Sequence, residues 1–200
     1  MINIGKREPS NVHSGCSLRN IPVIDDTKTS REIRSDILVA LDGVWACVTV
    51  LDWLLEQVEI FKNYKIILRG HPNVPIKRLL AQCINELPDN FHLSNSDLKV
   101  DIENSFCVIC RQTSVGMQAL MNGVSAIHLN IDAPLPCDPI IDLEVSKWKV
   151  HTPEELSTAL QEIHSLEEKR KRGGGISIAK KYARDYFTVP DDKNVMRFFM

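Results

Sequence analysis

Two short polar segments follow apolar runs and hold the residue types that bind anions. The first is Arg69-Gly70-His71-Pro72, directly after the apolar residues 66–68. The guanidinium of Arg69 has the planar donor geometry that suits a phosphate or carboxylate, and Gly70 lets a ligand approach the backbone closely. Pro72 keeps His71 out of the helical conformation, so a stiff turn presents the imidazole. The segment predicts an anion-binding turn, and the alternative is an ordinary turn with a surface histidine.

The second segment runs from Gln112 to Gly116, follows the apolar run 106–110 and opens a predicted helix. The first turn of a helix carries unpaired N–H groups and a partial positive charge, and both favour an anion. The hydroxyls of Thr113 and Ser114 and the carboxamide of Gln112 would complete the shell of a phosphate. The alternative is that Thr113 or Ser114 only caps the helix, and the two roles are compatible.

A third polar segment follows the apolar run 126–129 and contains Asn130 and Asp132. An amide and a carboxylate suit the hydroxyl groups of a ribose or another sugar. We therefore include both residues among the candidate ligand-binding residues.

Other patterns that often carry chemistry have a simpler explanation or are absent. Cys107 and Cys110 have the spacing of a zinc knuckle, but residues three apart in a strand point to opposite faces, and no second pair supports a metal site. The basic run 169–172 is typical of a solvated helix end, and the glycines 173–175 follow a helix instead of a strand. The sequence contains no dinucleotide GxGxxG, no Walker A motif and no serine nucleophile elbow.

A regular alternation of predicted strands and helices must position the three polar segments. Apolar runs typical of buried parallel strands occur at 37–41, 65–69, 91–93, 106–110, 126–129 and 148–150, with helical patterns between most of them. After the last run, Thr152, Pro153 and Glu155 form a capping box that begins a helix. The pattern predicts an α/β fold, a doubly wound, mostly parallel Rossmann-like sheet of about six strands. Ligands bind at the carboxyl ends of such strands, where the polar segments lie.

The predicted domain covers residues 36–187, with an arm or linker at 1–35 and a tail at 188–200. Near its end, a predicted helix alternates basic and aromatic residues, namely Lys180, Lys181 and Arg184 with Tyr182, Tyr186 and Phe187. We expect the aromatic side to pack against protein. The basic side is expected to face solvent, or to make weak peripheral contact with the anionic inner face of a membrane.

Composition and charge exclude several classes of protein. Of the 200 residues, 44% are hydrophobic and 25% are charged, which is near the globular norm and excludes an intrinsically disordered chain. The formal net charge of -2 gives no reason to expect a nucleic-acid partner. The six cysteines mostly fall in apolar runs and indicate reduced thiols. Neither a signal peptide nor a membrane-spanning run is visible, so we expect a cytoplasmic location.

Two stretches together resemble the C-terminal, nucleotide-binding domain of GT-B glycosyltransferases. They are residues 66–72, Ile-Ile-Leu-Arg-Gly-His-Pro, and residues 108–127, Val-Ile-Cys-Arg-Gln-Thr-Ser-Val-Gly-Met-Gln-Ala-Leu-Met-Asn-Gly-Val-Ser-Ala-Ile. The likeness is closest to bacterial surface-carbohydrate transferases: capsule polysaccharide enzymes, polysialyltransferase-like enzymes and CDP-glycerol glycerophosphotransferases. These families carry an HP motif after one strand, and a Ser/Thr pair followed by a GxEALxxG-like helix after another. The resemblance covers residues 36 to 187.

This resemblance implies a donor site for a CMP-, CDP- or UDP-linked sugar, without a metal or other cofactor. His71 would contact the nucleotide phosphate and help to stabilise its departure, as would Arg69, and Thr113 and Ser114 would bind the phosphate at the helix start. Gln118 occupies the position where many relatives have a Glu that holds the ribose or sugar, which is a departure from the family pattern.

The resemblance also implies partners. GT-B enzymes place the glycan acceptor, and usually the catalytic base, on an N-terminal Rossmann-like domain. Only the polar residues 1–35 precede the first predicted strand. We therefore expect a separate domain or a partner subunit to supply those groups. Two alternatives stay open: a non-catalytic nucleotide-binding module or partner subunit, and one half of a nucleotide-sugar epimerase.

Overall fold

The apolar runs of the sequence form the strands of one sheet. The computed structural model describes residues 34–83, 86–131, 138, 140, 143, 145–170, 176–186 and 191–196. Within these residues the strands are β1 (Asp36–Ala40), β2 (Lys65–Arg69), β3 (Phe91–Leu93), β4 (Ser105–Cys110), β5 (Ser125–Leu129) and β6 (Lys147–Val150). They lie in the order β3-β2-β1-β4-β5-β6, and each pairing is parallel. The predicted doubly wound α/β fold is confirmed.

Helices cover both faces of this sheet. They are α1 (Cys47–Glu56), α2 (Val58–Phe61), α3 (Ile76–Cys83), α4 (Leu98–Asn104), α5 (Val115–Met121), α6 (Pro153–Arg170), α7 (Ile176–Tyr186) and α8 (Asp192–Met196). Helices α1, α3 and α6 pack on the face that includes Ile37 and Ile109. Helices α4 and α5 pack on the opposite face, against Leu38 and Val108. Because each fully buried Ile or Leu contributes about 1.5–3 kcal/mol, two-sided burial explains why β1 and β4 are apolar after their first residues, Asp36 and Ser105.

The predicted start of α6 is confirmed in atomic detail. The N–H of Glu155 donates to Oγ1 of Thr152 at 3.3 Å, and the N–H of Thr152 donates to Oε2 of Glu155 at 3.3 Å. Pro153 occupies the first helical position, where its missing N–H costs nothing. The capping box therefore fixes α6 immediately after β6.

Buried charged side chains fasten the connection between β5 and β6 to the sheet. Oδ2 of Asp138 lies 3.0 Å from Nζ of Lys147, and only 2% and 4% of these side chains are exposed. Nζ of Lys147 also donates to the carbonyl of Ile140, and Oδ1 of Asp138 accepts the N–H of Ile140 at 3.0 Å. Nδ1 of His128, on β5, lies 3.7 Å from Oδ1 of Asp138. The described part of this connection is thus held by opposite charges.

The contact face of α7 includes small residues that the prediction did not name. Ala179 and Ala183 are buried and, with partly buried Tyr182, pack against residues of α5. Tyr186, which belongs to the same predicted aromatic side, is 50% exposed. Phe187 lies outside the described residues. Small alanine side chains let two helices approach closely, and a search for large apolar residues does not detect such a face.

The chain ends are described only in part. Residues 1–33 of the predicted arm lie outside the described residues, as do 171–175 and 187–190. The predicted tail contains α8. Within the described ranges, no helix has both the length and the apolar character needed to cross a membrane.

Candidate functional site

Three loops come together at the carboxyl edge of neighbouring strands β2, β1 and β4. The chain runs outward from β1 to β2 and β3, then returns across the sheet to β4 and continues in the other direction. Strands β1 and β4 therefore flank the topological switch point, where sheets of this kind bind ligands. The loops after these strands hold His71, the turn at residues 42–46, and the segment 111–114.

His71 begins a tight turn after β2. The N–H of Val74 donates to the carbonyl of His71 at 3.0 Å, with Pro72 at the second turn position, which its fixed φ favours. The N–H of Asn73 donates to Nδ1 of His71 at 3.2 Å. Because Nδ1 accepts this hydrogen bond, a neutral His71 carries its proton on Nε2. The turn therefore leaves Nε2 as the hydrogen-bond donor of the ring.

Gly43, in the loop after β1, forms the contact surface for the His71 ring. A Cβ at Gly43 would lie 2.9 Å from Nδ1 and 3.0 Å from Cε1 of His71. The loop after β1 and the turn after β2 are thus in direct contact. Beside Gly43, Val44 and Trp45 are each 49% exposed.

Arg69, which precedes the turn, is held by contacts within the protein. Its Nη1 donates to Oδ2 of Asp101 at 2.6 Å, to Oγ of Ser94 at 3.1 Å and to the carbonyl of Ser96 at 2.7 Å. Ser94 Oγ also donates to Oδ2 of Asp101 at 2.5 Å. Asp101 is 7% exposed, so the charge of Arg69 is largely offset by a buried carboxylate.

A small open pocket lies beside this network. It has a volume of about 220 Å³ and is lined by residues 69–71, 74–76, 94 and 96. Sites for whole drug-sized ligands are about 300–1,000 Å³, so this pocket accommodates only part of a larger ligand. Its walls combine the His71 turn with the hydroxyl-bearing segment after β3.

The segment after β4 leads into α5 as predicted. Oγ1 of Thr113 accepts the N–H of Val115 at 3.4 Å, which holds the start of the helix. Ser114 is exposed, occupies the N-cap position and makes no side-chain cap to α5, a helix that is described in full. Gln112 and Gln118 are half-buried. The Ser114 hydroxyl is thus not used as a helix cap.

Two glycines that sequence reasoning assigned to ligand binding have packing neighbours. A Cβ at Gly70 would lie 2.9 Å from Cβ of Ile76, at the start of α3. A Cβ at Gly116 would lie 2.8 Å from Sγ of Cys110, on β4. Packing against a helix or strand therefore requires glycine at both positions, and Gly70 also lines the pocket beside His71.

Sequence reasoning missed a buried ion pair at the switch point. Nε of Arg111 donates to Oδ2 of Asp42 at 2.9 Å, and only 5% and 3% of these side chains are exposed. Oδ1 of Asp42 accepts the N–H of Val44 at 3.4 Å. The sequence does show a charged residue directly after each of these two apolar runs. The sequence pattern does not show that the two charged residues pair with each other.

The segment after β5 is described only as far as residue 131, so Asp132 lies outside the described residues. Nδ2 of Asn130 lies 3.4 Å from Nδ1 of His151, which follows β6. Asn130 is therefore at the same carboxyl edge as the other candidates, beside a histidine that sequence reasoning did not select.

The cysteines do not form a metal site among the residues described. Cys107 belongs to the core on one face of the sheet and Cys110 to the core on the other, as predicted for a strand. Burial raises the pKa of both thiols. In the described part of the chain, no three His, Cys, Asp or Glu side chains are grouped as a metal ion would require.

Solved structures place this fold among known proteins. No protein-family model and no curated protein matches the chain. The chain is similar to the glycosyltransferase SnogD from Streptomyces nogalater, with a TM-score of 0.53, 14% identity, and coverage of 88% of this chain and 45% of that one. The chain is also similar to TarM, with a TM-score of 0.53, 14% identity, and coverage of 85% of this chain and 35% of TarM. A third similar structure is the glycotransferase of kitacinnamycin, with a TM-score of 0.51, 15% identity, and coverage of 86% of this chain and 43% of that one.

The chain spans less than half the length of each of these three structures. Its parallel sheet, with helices on both faces, matches the Rossmann-like architecture of these GT-B glycosyltransferases. The chain therefore has the fold of one half of a GT-B structure.

Proposed function

We propose that this chain is the donor-binding half of a glycosyltransferase and binds a nucleotide-activated sugar. The observation that supports the proposal is the contact among three loops at the switch point, where Gly43 lies against His71 and Asp42 pairs with Arg111, the residue that leads into the segment 112–114. The similarity of the fold to the glycosyltransferase SnogD supports the same function. The proposed donors are CMP-, CDP- and UDP-linked sugars, and no resident cofactor or metal is part of the proposal.

The proposed chemistry is stabilisation of the departing phosphate. When the bond between sugar and phosphate oxygen breaks, negative charge develops on the phosphate, and donors aimed at that charge lower the barrier. Nε2 of His71 is the donor left by the Asn73 contact. The hydroxyls of Thr113 and Ser114, with the backbone at the start of α5, supply further donors. Arg69 adds positive potential, reduced by Asp101.

The pocket of about 220 Å³ holds one part of the proposed ligand, and the rest extends along the strand ends. Gln112 is proposed to complete the phosphate shell, and Gln118, Asn130 and Asp132 are proposed to bind ribose or sugar hydroxyls. The proposed acceptor is a glycan, in surface polysaccharide synthesis. Acceptor binding and the catalytic base are assigned to a second domain or a partner subunit, in keeping with the greater length of the similar structures.

Calorimetric titration tests the donor site. CMP, CDP, UDP and their sugar conjugates are titrated into the parent protein and into His71→Ala and Ser114→Ala. We expect one nucleotide class to bind, and each variant to weaken it about tenfold, as for loss of one hydrogen bond to a charged group. His164→Ala, which removes an exposed histidine of α6, is the matched control and is expected to bind like the parent.

Two results would contradict the proposal. One is that no nucleotide or nucleotide sugar of the panel binds to the parent protein. The other is that His71→Ala and Ser114→Ala bind with the same affinity as the parent. If binding is confirmed, a transferase assay with the chain alone and with candidate partner subunits separates a catalytic half from a binding module.

A further inference from the structure

We propose that the buried ion pair between Asp42 and Arg111 positions His71 relative to the segment 111–114. The two side chains join the loops after β1 and β4, and the loop after β1 in turn supports the ring of His71. Asp42 and Arg111 are thus positioning residues, which act on a ligand through other groups. The inference rests on the proposed function, because the site that they position is the proposed donor site.

Burial argues against a purely stabilising role for this pair. Removing two charges from water carries a large desolvation cost, and a buried ion pair is often no more stabilising than well-packed apolar residues of similar volume. Only 3% of the Asp42 side chain and 5% of the Arg111 side chain are exposed. A hydrogen-bonded ion pair fixes the relative orientation of its two side chains, and an apolar pair does not.

A continuous set of contacts leads from Arg111 to His71. Nε of Arg111 donates to Oδ2 of Asp42 at 2.9 Å, while Oδ1 of the same carboxylate accepts the N–H of Val44 at 3.4 Å. The carboxylate therefore closes the turn that contains Gly43. The His71 ring lies directly on Gly43, with no room for a Cβ. A shift of Arg111 is transmitted to His71 through one short turn.

The position of the pair matches this role. It spans β1 and β4, the two strands that flank the switch point. By contrast, the pair between Lys65 and Asp36, with Nζ and Oδ2 3.2 Å apart, joins the first residues of β2 and β1 at the opposite edge of the sheet. That pair is more exposed but also links neighbouring strands, and it touches no candidate loop, so it serves as the control for loss of an ion pair between strands.

The test compares Asp42→Asn/Arg111→Met with Asp36→Asn/Lys65→Met. The Asp42→Asn change keeps an acceptor for the N–H of Val44, and removing both charges together avoids an unpaired buried charge. Each variant is titrated with CMP, CDP and UDP, and its urea unfolding midpoint is measured. We expect the Asp42/Arg111 variant to stay folded and to bind about tenfold more weakly, since small displacements of binding groups are costly. The control pair is expected to bind like the parent.

Trp45 provides a second readout that does not depend on a ligand. The chain has three tryptophans, and in a Trp53→Phe/Trp148→Phe variant Trp45 is the one that remains. Quenching of its emission by acrylamide reports on the loop after β1. We expect stronger quenching in the Asp42/Arg111 variant, because the loop is no longer fixed to β4, and parent-like quenching in the control variant.

The outcomes separate this inference from the proposed function. If the parent protein binds none of the three nucleotides, the proposed function fails. If the parent binds and the Asp42/Arg111 variant binds equally well, or if the control variant is weakened to the same extent, the positioning role is overturned. Should the double variant not fold, Arg111→Lys decides, because it keeps the charge and loses the guanidinium geometry. Roughly threefold weaker binding supports the role, and parent-like binding contradicts it.

Discussion

The imidazole of His71 lies so close to Gly43 that a Cβ on this glycine would be 2.9 Å from Nδ1. Two loops that follow different strands therefore determine where the ring lies. The turn after β2 fixes Nδ1 through the N–H of Asn73, and Gly43, in the loop after β1, limits how far the ring moves in its direction. His71 is held on two sides before any ligand binds.

Gly43→Ala is expected to displace the His71 ring while changing stability little. The clash is with a side chain at the edge of the sheet, which is able to rotate, so the free energy of unfolding should change by less than about 1 kcal/mol. Nucleotide affinity should fall about tenfold, measured by calorimetry. The control is Gly123→Ala at a φ of 68°, which should cost about 1–2 kcal/mol of stability and leave affinity unchanged. Equal affinity in Gly43→Ala and the parent would rule out the ring displacement.

Arg69→Ala is expected to destabilise the protein chiefly by leaving Asp101 without its cation. Asp101 is 7% exposed and the Arg69 side chain is 29% exposed, so the cost should be about 2 kcal/mol, below that of a fully buried pair. Urea unfolding measures it. Arg69→Met/Asp101→Asn should recover most of the loss. A double variant as unstable as Arg69→Ala would show that the carboxylate is not the reason.

The same double variant tests whether Arg69 also contacts the ligand. If its only role is to hold Asp101 and the segment after β3, nucleotide affinity should stay near that of the parent once the charges are removed together. A loss of about tenfold or more would indicate a direct contact with the phosphate. Calorimetry with CMP, CDP and UDP distinguishes the two roles.

Local sequence patterns predicted the sheet and the loops, because the forces that form them act over short distances. The part of a strand that is buried on both faces must be largely apolar, as β1 and β4 are after their first residues. A capping box such as Thr152-Glu155 is satisfied within one helical turn. The rule that ligands bind after parallel strands then selected His71, Thr113 and Ser114.

Pairings between distant residues were not predictable in the same way. Arg111 and Asp42 are 69 positions apart, and Arg69 and Asp101 are 32 apart. The sequence shows a charge after a strand, but which opposite charge it meets depends on the order of the strands. The same limit applies to Gly43, whose neighbour His71 belongs to the loop after a different strand.

His128 is expected to make the protein less stable as the pH falls below neutrality. Burial lowers the pKa of this imidazole below 6.5, and the positive charges of Lys147 and Lys149 act in the same direction, against the opposing effect of Asp138. The unfolded chain therefore binds a proton more readily than the folded chain. The resulting loss of folding stability is absent above the pKa that His128 has in the unfolded chain. It grows as the pH falls from 6.5 to the lowered pKa of the folded protein.

Urea unfolding of the parent and of His128→Gln at about pH 7, 6 and 5 measures this contribution. The parent should lose stability more steeply than the variant, by at most about 1.4 kcal/mol per pH unit for one proton. The comparison uses the difference in slope, so the lower stability of the variant itself does not matter. Parallel pH profiles would show that His128 does not bind an extra proton on unfolding.

Cys83 is expected to react slowly with iodoacetamide although it is only partly buried. Its pKa is raised to about 12, first by burial and then by a hydrogen bond to Asp52 and the charge of that carboxylate. At about pH 8 only one thiol in roughly 10⁴ would then be a thiolate, the reactive form. Alkylation measured by peptide mass spectrometry should therefore be far slower in the folded protein than in urea.

Asp52→Asn separates the electrostatic cause from simple shielding of Cys83. Removing the carboxylate charge lowers the pKa of the thiol, so alkylation of Cys83 in the folded protein should be about 3- to 10-fold faster. The matched control is Glu56→Gln, one turn farther along α1, because its charge is not among the causes that raise the pKa of Cys83. It should leave the rate unchanged. If Asp52→Asn reacts at the parent rate, burial alone protects the thiol, and the contact of Cys83 with the Asp52 carboxylate has no part in it.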